Sequence, residues 1–295
     1  MARDTIIAER PVPPKGRVSF PMLILCMIAN PVASWGEDFY EEPAVLYRWL
    51  GLQTLYVMDP VLIQRILLDD AENYSKQPLN DDMFGEAIGG GLLNAERDVV
   101  TFLMAGHETT SQALTWTLYL LALFPEWQER LREEVRRVNP NGDGDIGGDD
   151  IGKLQLLDAV FQEAIRFYSP APVLMRRTVA PVRLDGITLG KGATIIIPIY
   201  VVHRHKRLWE DPLKFDPSRF TPQVRARCHR CAYMPFGAGP RTCVGAAFAM
   251  LEGKTILATL LSHARFDLPD GEAPIPFARI TLRPKDGLTL KVTLL

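Results

Sequence analysis

Ten residues constrain this chain more than any other stretch of it. Phe236-Gly237-Ala238-Gly239-Pro240-Arg241-Thr242-Cys243-Val244-Gly245 sets a cysteine among three glycines, just before an apolar helical run from Ala246 to Leu261. Glycine lets the backbone approach a sulfur closely and take turns that other residues resist. The start of a helix and the neighbouring Arg241 both favour the thiolate over the thiol. A cysteine that merely fills space as a small hydrophobe needs no such loop. A thiolate held this way can ligate a metal or act as a nucleophile.

A second unusual stretch, Ala105-Gly106-His107-Glu108-Thr109-Thr110, lies inside a long apolar helix predicted from Asp98 to about Phe124. Gly106 costs roughly 1 kcal/mol in a helix interior, so it is expected to permit a close approach. His107-Glu108 begins a zinc-protease motif, but the second histidine it needs is replaced by Ser111, which sets zinc hydrolysis aside. Glu163 and Arg166 stand three apart on one helical face. The pairs Glu129/Arg132, Glu133/Arg136 and Glu134/Arg137 share that spacing and read as solvated pairs. Glu163 differs by sitting in an apolar helix that ends at Ser169-Pro170.

Weaker signals carry less. Cys228-His229-Arg230-Cys231 lacks a second pair at zinc-finger spacing and a histidine directly after Cys231, so it reads as a loose surface pair. The Asn139–Asp150 loop resembles a calcium loop with Asp in place of Glu at its twelfth position. A flexible connector is the simpler reading.

The rest of the chain is read from its punctuation. The first twenty residues, with Pro11, Pro13 and Pro14, suggest an extended arm. Gly51–Met58 reads as a strand, and Asp59-Pro60 starts a helix over Val61–Leu68. Gln77–Leu93 is a loop. Further helices are expected over Pro125–Val138 and Lys153–Tyr168, and strands at Val182–Leu184, Thr194–Ile199, Ile280–Leu282 and Leu288–Val292. The fold class is mainly α with a small β-sheet region.

Composition bounds the setting. In 295 residues, 47% hydrophobic and 23% charged with four cysteines, there is neither a collagen-like nor a disulfide-scaffold signature. The apolar run Phe20–Ala29 contains Pro21 and falls short of the ~20 residues of a membrane helix. No signal peptide is evident. The expectation is a cytoplasmic protein with no transmembrane anchor. Residues 1–96 carry 7 Lys+Arg against 14 Asp+Glu, a net of −7, so the remainder is at +5. Pro217 to Leu251 holds five Arg and no acid, which fits either a solvated loop or a docking face for an acidic partner.

The Cys243 loop resembles the haem-binding signature of the cytochrome P450 family at Phe236, Gly237, Gly239, Arg241, Cys243 and Gly245. That resemblance implies haem b (iron protoporphyrin IX) with its iron on the Cys243 thiolate. Arg241 and Arg176, or the adjacent Arg177, would face the haem propionates. Ala105-Gly106 would belong to the oxygen-activating element, with Glu108 as proton-relay acid and Thr109 as the alcohol beside the bound oxygen. In the family the helix backbone opens at that point. Glu163 and Arg166 would join Arg219, from Pro217-Ser218-Arg219-Phe220, in a structural ion-pair network.

The implied activity is a haem-thiolate monooxygenase that inserts one oxygen atom of O2 into a small apolar substrate. Electrons would come from a separate ferredoxin or flavoprotein reductase; no nucleic acid is involved. Asn73-Tyr74-Ser75-Lys76 and Gly91-Leu92-Leu93 fit the family's opening portion. There, Gly-Leu-Leu leads into a helix with a Trp and an Arg for a haem propionate, and then several more helices. Here Asn94-Ala95-Glu96 passes straight to Arg97-Asp98, so a domain's worth of chain, on the order of 150 residues, is expected to be missing near Glu96/Arg97. On this reading 1–295 is one P450-like domain, incomplete in its distal helices. It comprises an N-terminal strand/helix segment, 1–96, and the motif-bearing remainder, 97–295. The alternatives are a non-catalytic, degenerate haem-binding remnant and a calcium-loop interaction protein.

Overall fold

The computed structural model describes residues 11–76, 97–140, 146, 148–269 and 273–295, and of 97–104 the helical backbone alone. The Gln77–Leu93 loop and Glu96 lie outside these residues, as does much of the candidate calcium loop.

Among the described residues, five helices reach ten residues or more: α1 (Phe20–Ala29), α2 (Arg97–Leu123), α3 (Pro125–Val138), α4 (Gln155–Phe167) and α5 (Ala246–His263). Pro21 falls in the first turn of α1, where its missing N–H costs nothing, so the interrupted apolar run is helical after all. None of the described helices is long and apolar enough to cross a membrane. Asp59 accepts from the Val61 and Leu62 N–H groups at the head of the short helix Pro60–Gln64, as the Asp-Pro pair predicts.

The strands are short. β1 (Ala44–Trp49) and β2 (Leu52–Val57) form a hairpin whose turn puts both Leu50 and Gly51 at positive φ. With β3 (Tyr74–Ser75), β4 (Leu174–Thr178) and β7 (Thr194–Ile197) they build a five-stranded sheet in the order β1-β2-β7-β4-β3. Only β2–β7 is parallel, pairing Thr54–Tyr56 with Thr194–Ile196. Early and late segments of the chain therefore share one sheet. β5 (Val182–Leu184) and β6 (Ile187–Leu189) turn at Asp185-Gly186, again both at positive φ. The four late strands, β8 (Ala264–Asp267), β9 (Pro276–Ala278), β10 (Leu282–Pro284) and β11 (Lys291–Leu294), form two small pairs. The last two start two to three residues later than the sequence suggests, because their register is set by β9 and β8 rather than locally.

One continuous core joins the sheet to α2, α3, α4 and α5. Trp116 of α2 is fully buried, stacks on Tyr168 at 3.9 Å and donates to the Leu282 carbonyl. Two expected solvated pairs turn out to be helix caps. Arg132 is buried and donates to the Leu261 and Ala264 carbonyls at the end of α5, while still pairing with Glu129 at 2.7 Å. Glu134 accepts from the Leu156 and Leu157 N–H groups at the head of α4, not from Arg137. Spacing along one helix cannot reveal a cap on another. Cys231 is also not at the surface: it is buried in the core, and burial pushes its thiol up.

Candidate functional site

The cysteine loop is seated largely by backbone, with the Thr242 hydroxyl donating to the Phe236 carbonyl and Ala238 packed on the core. Gly237 and Gly239 adopt φ of 74° and 77°. A Cβ on Gly239 would lie 1.8 Å from the Leu67 carbonyl oxygen, so the loop rests directly on the segment that follows Pro60–Gln64. Cys243 N–H donates to the Phe236 carbonyl at 2.8 Å and closes the loop on itself. Cys243 therefore stands two residues ahead of Gly245, the N-cap of α5, with its side chain exposed. Beyond it, Val244 (84% exposed), Phe248 (66%) and Leu251 present an apolar stripe at helical spacing.

Three cations gather nearby. In β4, Arg176 is buried and Arg177 points to the other face, as alternation along a strand requires. Burial and the Arg241 charge hold the Arg176 guanidinium below its ordinary range. Burial, Arg176 and Arg241 do the same to the ammonium of Lys76, the last residue of the Asn73–Lys76 stretch. No acidic side chain offsets the three among the described residues.

On α2, Glu108 Oε1 accepts from the Thr281 hydroxyl at 2.9 Å and lies 3.4 Å from Gln112 Nε2. Thr109 donates to the Ala105 carbonyl at 2.6 Å. The helix runs unbroken from Arg97 to Leu123, so the opening implied by the resemblance does not occur in its backbone. The Thr109 hydroxyl finds its acceptor one turn back, a bond that tends to bend a helix without breaking it. A Cβ on Gly106 would meet no atom within 4 Å, so the close approach it permits is not to another described part of the chain. Ala105, Gly106 and His107 are exposed. α2 and α5 pack on each other, and no hydrogen bond joins the Ala105–Thr109 turn to the Cys243 loop.

The ion-pair network lies apart from this surface. Arg166 forks onto Glu163 at 2.6 and 2.9 Å, with both side chains fully buried. Arg219 Nε stands 3.6 Å from Glu163 Oε1 and donates through Nη2 to the Asp211 carbonyl. The Asp216 N–H also donates to Glu163, and Arg166 donates to the His203, Pro212 and Lys214 carbonyls. Burial raises the Glu163 carboxyl, opposed by Arg166, the Asp216 N–H and Arg219.

His203, also absent from the sequence reading, completes the hub. It bonds through Nδ1 to the Arg166 carbonyl and through Nε2 accepts from the Met234 N–H, two residues before Phe236. This arrangement selects the neutral tautomer with the proton on Nδ1. Burial, with Arg166 and Arg204, holds the imidazole well below its ordinary range. Of the five Arg in the basic stretch, Arg219 and Arg225 are engaged with Glu163 and Tyr233, leaving Arg227, Arg230 and Arg241 exposed.

These residues fit an iron porphyrin: a free thiol on a closed loop, an apolar stripe beside it, and cations without acids. Among the described residues no His/Cys/Asp/Glu cluster could hold a bare metal ion. A family profile, Cytochrome P450, matches residues 91–292. The chain belongs to the cytochrome P450 family. It is 40% identical over 210 residues to Cytochrome P450 4B1 of Rattus norvegicus, covering 71% of this chain and 40% of that protein. Cytochrome P450 4F12 of Homo sapiens is 40% identical over 216 residues, 72% of this chain and 41% of its own length. A cytokinin hydroxylase of Arabidopsis thaliana is 41% identical over 244 residues, 77% and 47% respectively. The chain thus spans less than half the length of these relatives.

Proposed function

We propose that this chain holds haem b through Cys243 and derives from a haem-thiolate monooxygenase acting on a small apolar substrate. The observation that carries the reading is the exposed Cys243 thiol between an apolar stripe and three cations that lack acidic partners. Bound there, haem would supply reductive activation of dioxygen, with the thiolate tuning its electronics.

The chain's own residues have separable roles in this reading. Gly237 and Gly239 keep the loop close-packed so that the sulfur position is fixed. Val244, Phe248 and Leu251 offer an apolar bed. Arg176 and Arg241 neutralise the carboxylates of the cofactor. Glu108 and Thr109 would serve as relay acid and alcohol on the face of α2, and Gly106 leaves room above it. Glu163, Arg166 and Arg219 stabilise the fold behind the loop.

The same reading includes an internal gap. Only residues 76–96 lie between the end of β3 and the start of α2, and the chain spans less than half its relatives' length. We infer that about 150 residues of distal helices are missing there, leaving one incomplete domain with segments 1–96 and 97–295. Electrons would arrive from a separate ferredoxin or flavoprotein, docking by charge on Arg227 and Arg230. Four free cysteines suit a reducing, cytoplasmic compartment.

The test is the reduced, carbon-monoxide-bound spectrum of the full chain loaded with haem b. A thiolate-type band that Cys243→Ser abolishes supports the reading, and no such band in the parent chain sinks it. A band without turnover, given a competent reductase, would favour the degenerate remnant.

A further inference from the structure

The strand pair β8–β11 has two outer edges, and the fold treats them differently. The Leu295 N–H donates to the His263 carbonyl at 3.0 Å, in step with the register that sets Lys291 opposite Asp267 and Leu294 opposite Ala264. Alternation along an antiparallel ladder then turns the backbone groups of Lys291 and Thr293 toward β8, and those of Val292 and Leu294 away from it. On β8 the outward groups belong to Ala264 and Phe266, and α3 answers them. Gln128 accepts from the Phe266 N–H and donates to its carbonyl, both at 2.8 Å, and Arg132 donates to the Ala264 carbonyl. On β11 the outward groups of Val292 and Leu294 have no partner among the described residues.

The side chains repeat the asymmetry. Residues directly opposite each other share a face, so Val292 lies beside Phe266 and Leu294 beside Ala264. Phe266 and Ala264 are buried, whereas Val292 is 54% and Leu294 81% exposed. The apolar face of this sheet therefore runs past the core and stops at an open edge, an arrangement that folded chains ordinarily protect.

We propose that a second copy of the chain pairs at this edge, β11 against β11, in a two-fold dimer centred on Thr293. The strand is complementary to itself in that register. With Thr293 opposite its own copy, Val292 meets Leu294 of the second copy and Leu294 meets Val292. Both positions face outward, so each pair exchanges two hydrogen bonds and every outward group of the strand is satisfied. Both pairs are apolar and extend the face begun by Phe266 and Ala264. Lys291, the one charge of the strand, stands beside Asp267 of its own copy, and the two copies of Lys291 fall at opposite ends of the paired segment. A register centred on Val292 would instead set Leu294 against Leu290, which lies outside the strand and packs on the core. So short an edge makes a weak, concentration-dependent dimer. The pairing needs no haem and stands apart from the haem-thiolate reading.

The experiment is sedimentation equilibrium of the full haem-free chain from about 1 to 100 μM, a range that brackets a weak dimer. The parent should pass from monomer to dimer across it. Leu294→Pro removes an N–H that bonds nothing within the chain, so it should keep the fold and weaken association at least about tenfold. Val292→Lys with Leu294→Lys sets ammonium against ammonium and should leave a monomer. Val292→Lys with Leu294→Glu sets each Lys against a Glu of the second copy and should restore the dimer, which carries the test if the proline variant does not fold. A parent that stays monomeric overturns the proposal, as does a Lys/Glu variant no more dimeric than the Lys/Lys one. A dimer untouched by Leu294→Pro would show that the copies meet elsewhere and overturns it too. So does a monomer whose Val292 and Leu294 amides exchange slowly with solvent deuterium, since another segment of the chain would then cover the edge.

Discussion

The two ends of the sequence from Glu163 to Cys243 are built on opposite plans. Around Glu163 every charge is answered inside the fold: Arg166 has a carboxylate and three carbonyls, and Glu163 has two guanidinium groups and an N–H. Near Cys243, Lys76 and Arg176 have no acidic partner among the described residues, and the apolar side chains face outward. His203 ties the two regions together through Arg166 and Met234. One region is self-sufficient and gives the chain its stability. The other is rigidly positioned but chemically incomplete, and a group from outside the chain is what would complete it.

The largest expected effect breaks the self-sufficient side. Arg166→Ala leaves Glu163 buried without its forked partner and should cost about 3–5 kcal/mol. Urea unfolding of the haem-free chain measures it, and a loss under 1 kcal/mol would show that the hub is not the stabilising element. Next is the seat of the loop: Gly239→Ala forces a Cβ against the Leu67 carbonyl at positive φ. A loss of about 2–3 kcal/mol is expected, together with weakened haem retention.

The bridge between the regions should respond to pH. The folded-state pKa of His203 lies well below its unfolded value near 6.5. Its contribution is therefore constant above about pH 6.5. Below that the unfolded chain takes up a proton that the folded chain refuses, and stability falls by about 1.4 kcal/mol per pH unit until the folded pKa is reached. His203→Gln should flatten that slope between pH 6.5 and 5; an unchanged slope would mean that another group governs it. The smallest effect is on the incomplete side. Cys243→Ser alters an exposed side chain and should leave haem-free stability within about 0.5 kcal/mol, although it removes the proposed ligand. A large loss would show that Cys243 is structural.

What the sequence disclosed follows the same division. The Cys243 loop, the long helix α2 and the Asp59 cap are local, specified by residues within ten positions of one another, and all could be read directly. Glu163, Arg166 and Arg219 came from resemblance and lie together in the structure, because that network is fixed by the family's fold. Features that depend on distant partners stayed hidden. Arg132 and Glu134 looked like surface pairs because their real acceptors and donors are 22 to 132 residues away. Lys76 stands in a family-like stretch, but nothing local to it pointed to the charges of Arg176 and Arg241. His203 sits in the run His203-Arg204-His205-Lys206-Arg207 and carries no motif, yet it is fully buried.

The parallel pairing of β2 with β7 also sets a timetable for making the protein. Thr54 waits for Thr194, 140 residues further along the chain. At 5–20 residues per second, synthesis takes about 7–28 s to reach that partner. For that interval the β1–β2 hairpin has an unpaired edge, and Leu55 and Tyr56, both fully buried at the end, have nothing from the late sheet to cover them. The nascent chain is thus most open to aggregation before its Cys243 loop has even been synthesised.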